Sequence, residues 1–67
     1  MEGTIANILY DKNFGFIQVE GEEKQLFFHA NSLVSGLALA DLKKGDKVSF
    51  EKADSPKGPN AVNVAKM

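Results

Sequence analysis

Phe14-Gly15-Phe16-Ile17-Gln18-Val19, followed after a turn by Gln25-Leu26-Phe27-Phe28-His29, is the stretch whose reading decides the fold. Successive side chains of a β-strand point to opposite faces. Phe14, Phe16 and Gln18 therefore share one face of the first run, and Gly15, Ile17 and Val19 share the other. In the second run, Gln25, Phe27 and His29 lie opposite Leu26 and Phe28. Ile17, Val19, Leu26 and Phe28 make an apolar inner face. Phe14, Phe16, Phe27 and His29 are left together on the outer one. The intervening Glu20-Gly21-Glu22-Glu23 predicts a hairpin turn.

An outer sheet face carrying three phenylalanines and a histidine contributes nothing to a core beneath it. Flat π surfaces exposed side by side are what unpaired bases stack on. The alternation thus points to a binding surface as well as to a sheet.

The rest of the chain is punctuated at short intervals, as in an all-β barrel or sandwich. Glu2 to Leu9 reads as a first strand, with Ile5 its clearest inward residue, and Tyr10-Asp11-Lys12-Asn13 as a turn. Phe14 to Val19 is the second strand and Lys24 to His29 the third. Ala30 to Val34 predicts a single helical turn ending at Ser35-Gly36. Leu37 to Leu42 has helix-like composition, but Gly36 and Gly45 bracket it too closely, so it reads as a loop with one turn at most. Lys43-Lys44-Gly45-Asp46 is a further turn, and Lys47 to Glu51 a fourth strand. Ser55 to Asn60 carries both prolines, Pro56 and Pro59, and reads as a loop. Ala61 to Ala65 is the fifth strand, with Val62 and Val64 inward. Five short strands with a long connection after the third predict a small, closed, antiparallel barrel, with residues 1–67 forming one domain.

The composition narrows the chemistry. With 67 residues there is room for one small core. Cysteine is absent, so neither disulfides nor thiolate-bound metal can staple it, and the lone histidine has no companion ligand; no metal or cofactor is expected. No apolar run approaches membrane-spanning length, which makes a cytoplasmic protein with no membrane partner the expectation. The net charge is −1 and all eight basic residues are lysines, so there is no arginine fork for phosphate or guanine. Binding to nucleic acid would then come more from stacking than from charge, with weak sequence preference. Catalysis finds no support. His29 and Ser32 lack a third orienting group, the carboxylates are scattered, and no small-molecule substrate is suggested.

The residues also resemble a known family. Gly3-Thr4-Ile5 with Lys12-Asn13-Phe14-Gly15-Phe16-Ile17 is similar to the opening of the bacterial cold-shock proteins, including their RNA-binding motif Lys-Gly-Phe-Gly-Phe-Ile. Leu26-Phe27-Phe28-His29 resembles their second motif, Val-Phe-Val-His. The runs from Leu42 to Phe50 and from Lys57 to Val64 are similar to the closing part. The resemblance covers essentially the whole chain. It implies a five-stranded oligonucleotide-binding (OB) barrel that binds single-stranded RNA or DNA. It also implies a role as an RNA chaperone or in the stress response to cold.

The departures are specific. Ala6-Asn7-Ile8 stands where the family has Lys-Trp-Phe, Ala30 and Leu39 stand where it has aromatics, and Asn13 replaces a glycine, a residue type that still adopts positive φ. At about 1–3 kcal/mol per truncated stacking aromatic, three losses amount to roughly 3–9 kcal/mol. A divergent member with weakened binding is expected. Bases would stack on Phe14, Phe16, Phe27 and His29, and Lys12 and Lys57 would reach phosphates. Asn7 would bond a base edge and Leu39 would lean on one. Tyr10, Lys43 and Lys44 read as ordinary turn or surface residues, and Glu20, Glu22 and Glu23 as a solvated tip that repels phosphate. The alternative function is a protein-interaction module of the same fold that has lost most of its nucleic-acid affinity.

Overall fold

In the computed structural model, which describes residues 1–56 and 58–67, the alternating runs become strands with the expected faces. These are β1 (Glu2–Leu9), β2 (Phe14–Val19), β3 (Gln25–His29), β4 (Lys47–Ser55) and β5 (Gly58–Lys66). They close into a barrel in the order β1-β2-β3-β5-β4. Three single 3-10 turns, Tyr10–Lys12, Ala30–Ser32 and Leu39–Asp41, lie in the connections. No helix among the described residues is long and apolar enough to cross a membrane.

Period-2 alternation fills the barrel. Ile5, Ile17, Val19, Leu26, Phe28, Val48, Phe50, Ala61 and Val64 are buried, joined by Leu39 and Leu42 from the long connection. Each large apolar side chain fully removed from water contributes about 1.5–3 kcal/mol, so this cluster is the main stabilising element of so short a chain. Phe28, fully buried, and Phe50 are its largest members.

The strand bounds differ from the sequence reading at the β4–β5 hairpin. Both arms run further than expected, and Pro59 lies inside β5, paired with Asp54, rather than in a loop. The physical reason is that β5 meets β3 at a single register position, Phe27 opposite Asn60. On the Pro59 side of that pair no strand among the described residues pairs with this edge of β5, and a missing N–H there costs nothing. That closing pair is parallel, so the barrel is mixed rather than wholly antiparallel.

Val62 is not an inward residue as expected. The register of β4 with β5 shifts between Ser49 and Glu51, and Asn63 opposite the shift takes φ 51°. This bulge puts Ala61 and Val64 inside, with Val62 only half-buried. Asn63 Nδ2 donates to Glu51 Oε2 at 2.9 Å and holds the kink.

Leu39 overturns another expectation. In a 3-10 turn, residues i and i+3 eclipse. Leu39 and Leu42 therefore face the same way, into the barrel, and Leu39 is only 8% exposed. It is a core residue and is not available to lean on a base.

Candidate nucleic-acid interface

The outer face of β1, β2 and β3 is built by cross-strand pairing, because paired residues point to the same side of a sheet. Phe14 pairs with His29 and Phe16 with Phe27. On the other flank Leu9 pairs with Phe14 and Asn7 with Phe16. Phe27 pairs in turn with Asn60 of β5. A transverse row, Asn7–Phe16–Phe27–Asn60, thus crosses the four strands β1, β2, β3 and β5.

The three rings form a triangle. Phe14 and Phe27 have centroids 5.3 Å apart and tilted, Phe14 and Phe16 meet edge to face at 5.8 Å, and Phe16 and Phe27 at 6.2 Å. Such contacts fix ring orientation in the absence of a ligand. Phe27 is 37% exposed, whereas Phe14 and Phe16 are half-buried.

Gly15 makes this outward placement possible. A Cβ there would lie 2.7 Å from the Asn7 carbonyl oxygen and 2.9 Å from Phe28 Cε1. The inner position between the two phenylalanines must be empty so that Phe28 can fill the barrel beneath it.

His29 caps the next 3-10 turn, its Nδ1 accepting the Asn31 N–H at 3.1 Å. In the neutral ring this leaves Nε2 carrying the proton, a donor at the platform's edge. Asn7 is exposed, and its Oδ1 accepts the Ile8 N–H at 3.0 Å. Its Nδ2 remains the group free for a base edge. Lys12 is exposed in the 3-10 turn that enters β2, a turn closed by Asn13 at φ 61°, as a short polar side chain permits. Lys57 lies outside the described residues.

Ile8 and Ala30, at two of the positions that depart from the family pattern, pack partly on the core. Tyr10 is half exposed, with its hydroxyl donating to the Leu42 carbonyl, and so ties two turns together rather than joining the platform.

Sequence reasoning missed the platform's far margin. A cleft of about 450 Å³ beside Phe27 is lined by Ser55, Gly58, Pro59 and Asn60. The Oδ1 of Asn60 is itself out of reach of solvent and has no hydrogen-bond partner among the described residues. No local pattern marks this cleft, since it arises from a parallel pairing between residues far apart in the chain. The acidic tip, Glu20, Glu22 and Glu23, is fully on the surface, with Gln18 Nε2 donating to the Glu22 carbonyl at 2.6 Å.

Barrel topology and outer aromatic face together define the class of an OB-fold protein. The sequence matches the 'Cold-shock' DNA-binding domain over residues 1–67. It is 37% identical over 65 residues to the major cold shock protein of Micrococcus luteus, covering 97% of this chain and 96% of that protein. It is 39% identical over 67 residues to the cold shock-like protein CspB of Bacillus cereus, with both chains covered in full. Over 56 residues it is 46% identical to the cold shock-like protein CspD of Bacillus cereus, covering 84% of this chain and 82% of the other. The chain belongs to the cold-shock domain family of nucleic-acid-binding proteins.

Proposed function

We propose that this protein binds single-stranded RNA or DNA by stacking bases on Phe14, Phe16, Phe27 and His29, without catalysis, and keeps the strand unpaired in the manner of an RNA chaperone. The observation that carries this reading is the ring triangle on the outer face, with Phe27 at its most exposed corner. A base seated on Phe27 comes next to the cleft lined by Ser55, Gly58, Pro59 and Asn60. Nε2 of His29 and Nδ2 of Asn7 offer donors at the opposite margins. Lys12, with Lys57 as the sequence suggests, supplies part of the phosphate attraction.

With no aromatic on β1, binding is expected at a dissociation constant of about 1 μM or weaker, about −8.2 kcal/mol. The test is titration of a labelled pyrimidine-rich single strand at several salt concentrations, the label being needed because the chain has no tryptophan. Saturable binding that falls on Phe16→Ala or Phe27→Ala supports stacking. The net charge of −1 favours the alternative, a protein-interaction module of the same fold. No saturable binding even at low salt would leave that alternative standing.

A further inference from the structure

Stacking stops at Phe16 on one side of the platform, because the outward residues of β1, Thr4, Asn7 and Leu9, include no ring. Something other than stacking must hold a strand that continues in that direction. β1 pairs with β4 only over Glu2, Gly3 and Thr4. Beyond Thr4 its edge is bonded to the turn 43–46: the Ile5 N–H donates to the Asp46 carbonyl at 2.8 Å, and the Gly45 N–H donates to the Ile5 carbonyl at 2.9 Å. The turn therefore occupies the place of a next strand beside the Asn7 end of the transverse row. Two strand spacings, about 10 Å, separate it from the backbone of β2. A lysine on that turn has a flexible four-carbon stem with which to extend its ammonium toward the platform's margin.

Lys43 and Lys44 are both exposed in this turn. The acid beside them is already engaged: Asp46 Oδ2 accepts the Lys43 backbone N–H at 3.1 Å and lies 3.7 Å from Lys66 Nζ. Asp41 is likewise turned to its own loop, accepting the Ala38 N–H at 3.1 Å. Neither Lys43 nor Lys44 has an ion pair among the described residues. The Tyr10 hydroxyl, bonded to the Leu42 carbonyl, fastens the turn bearing Lys12 to the same rim. Glu20, Glu22 and Glu23 sit at the β2–β3 tip, which adjoins the start of β1 through the Glu20 N–H to Glu2 carbonyl bond at 3.2 Å.

We propose that the Lys43-Lys44 turn is a second contact zone of the interface, gripping the phosphodiester backbone of a single strand after it has run across Phe27 and Phe16 and off the edge of β1. This inference rests on the stacking reading of the platform. It predicts a binding site longer than the aromatic cluster, with base contacts at one end and phosphate contacts at the other.

The experiment compares homopyrimidine strands of about four and about eight nucleotides, within the range a single OB fold accommodates. Their binding is measured to the parent, to Lys43→Glu/Lys44→Glu, and to Lys24→Glu/Lys52→Glu as a control with the same change in total charge. The longer strand should bind the parent several-fold more tightly than the shorter one. That gain should vanish in Lys43→Glu/Lys44→Glu, with the salt slope for the longer strand falling by about 0.7 for each phosphate no longer neutralised. The shorter strand should respond to the two charge-reversed variants alike. Lys43→Gln/Lys44→Gln, which introduces no new charge, should give the same loss of length dependence and serves if the reversed variant fails to fold. Equal losses for both lengths, or an effect no larger than that of Lys24→Glu/Lys52→Glu, would overturn the proposal. If the short strand binds through Phe16 and Phe27 but length adds nothing, the second zone alone is wrong; if the short strand does not bind, the stacking reading fails and the second zone with it.

Discussion

Gly15 and Phe28, cross-strand partners on β2 and β3, are in contact through the one position on the inner face of β2 where no side chain fits. The Phe28 ring occupies the space that a Cβ on residue 15 would need, at 2.9 Å from Cε1 and 3.0 Å from Cζ. The fully buried Phe28 ring and the two outward phenylalanines beside Gly15 are therefore parts of one arrangement.

Gly15→Ala should thus be destabilising by about 1–3 kcal/mol, the usual effect of overpacking. The nearest atoms are a ring and a backbone oxygen, neither of which is the free end of a flexible chain. Urea unfolding should show a lower midpoint with an unchanged m-value. A variant as stable as the parent would mean that β2 and β3 can separate slightly without cost.

Phe16→Ala and Phe27→Ala should separate binding from stability. Each should weaken single-strand binding by about 1–3 kcal/mol. Each should cost far less stability than Phe28→Ala or Phe50→Ala, for which about 3–5 kcal/mol is expected. The comparison needs parallel titration and denaturation of the four variants. Phe27, the more exposed of the two platform rings, should show the smaller stability loss.

Leu39→Ala should behave in the opposite way. Leu39 is buried beside Leu42, and truncating a buried leucine costs about 2–5 kcal/mol. Oligonucleotide affinity, measured well below the unfolding midpoint, should stay within about twofold of the parent, since the residue does not reach the outer face; twofold is about 0.4 kcal/mol.

These residues mark how far the sequence can be read. The faces of Phe14 to Val19 and Gln25 to His29 are legible because strand alternation is local and strict, and it assigns Phe28 to the core despite its place in a binding motif. Leu39 is harder. Its position resembles that of an exposed aromatic, and the spacing of Leu39 to Leu42 is the one local sign of a shared buried face. Asn63 and Pro59 are illegible for a different reason. A bulge and an edge position depend on which strand lies alongside, and that is fixed by the closure of β5 on β3 and β4. The cleft beside Phe27 depends on the same long-range pairing.

The salt dependence should be shallow. Lys12, Lys43 and Lys44 are exposed in turns joined by the Tyr10 hydroxyl to Leu42 carbonyl bond, and Glu20, Glu22 and Glu23 are exposed at the β2–β3 tip, where they would oppose phosphate. About one to three phosphates should be neutralised, giving a slope of log K against log salt of about −0.7 to −2 for a single strand. A much steeper slope would shift the mechanism from stacking to charge.

Asn7→Trp should tighten binding. Asn7 is exposed and pairs across strands with Phe16, so an indole there would extend the ring surface by one place along the transverse row. One added stacking contact is worth about 1–3 kcal/mol, or roughly 5- to 150-fold in affinity. The substitution removes the Asn7 Oδ1 acceptor of the Ile8 N–H, an exposed bond whose loss should cost about 0.5–1.5 kcal/mol of stability at most. The gain should also shrink in a Phe16→Ala background, because the two rings would bracket adjacent bases and their contributions would couple. The dissociation constants of the parent, both single variants and the double variant form the cycle that measures this. Tightening that is fully additive with Phe16→Ala would mean that the indole contacts the strand independently of the platform. No tightening at all would mean that the bound strand does not pass over β1.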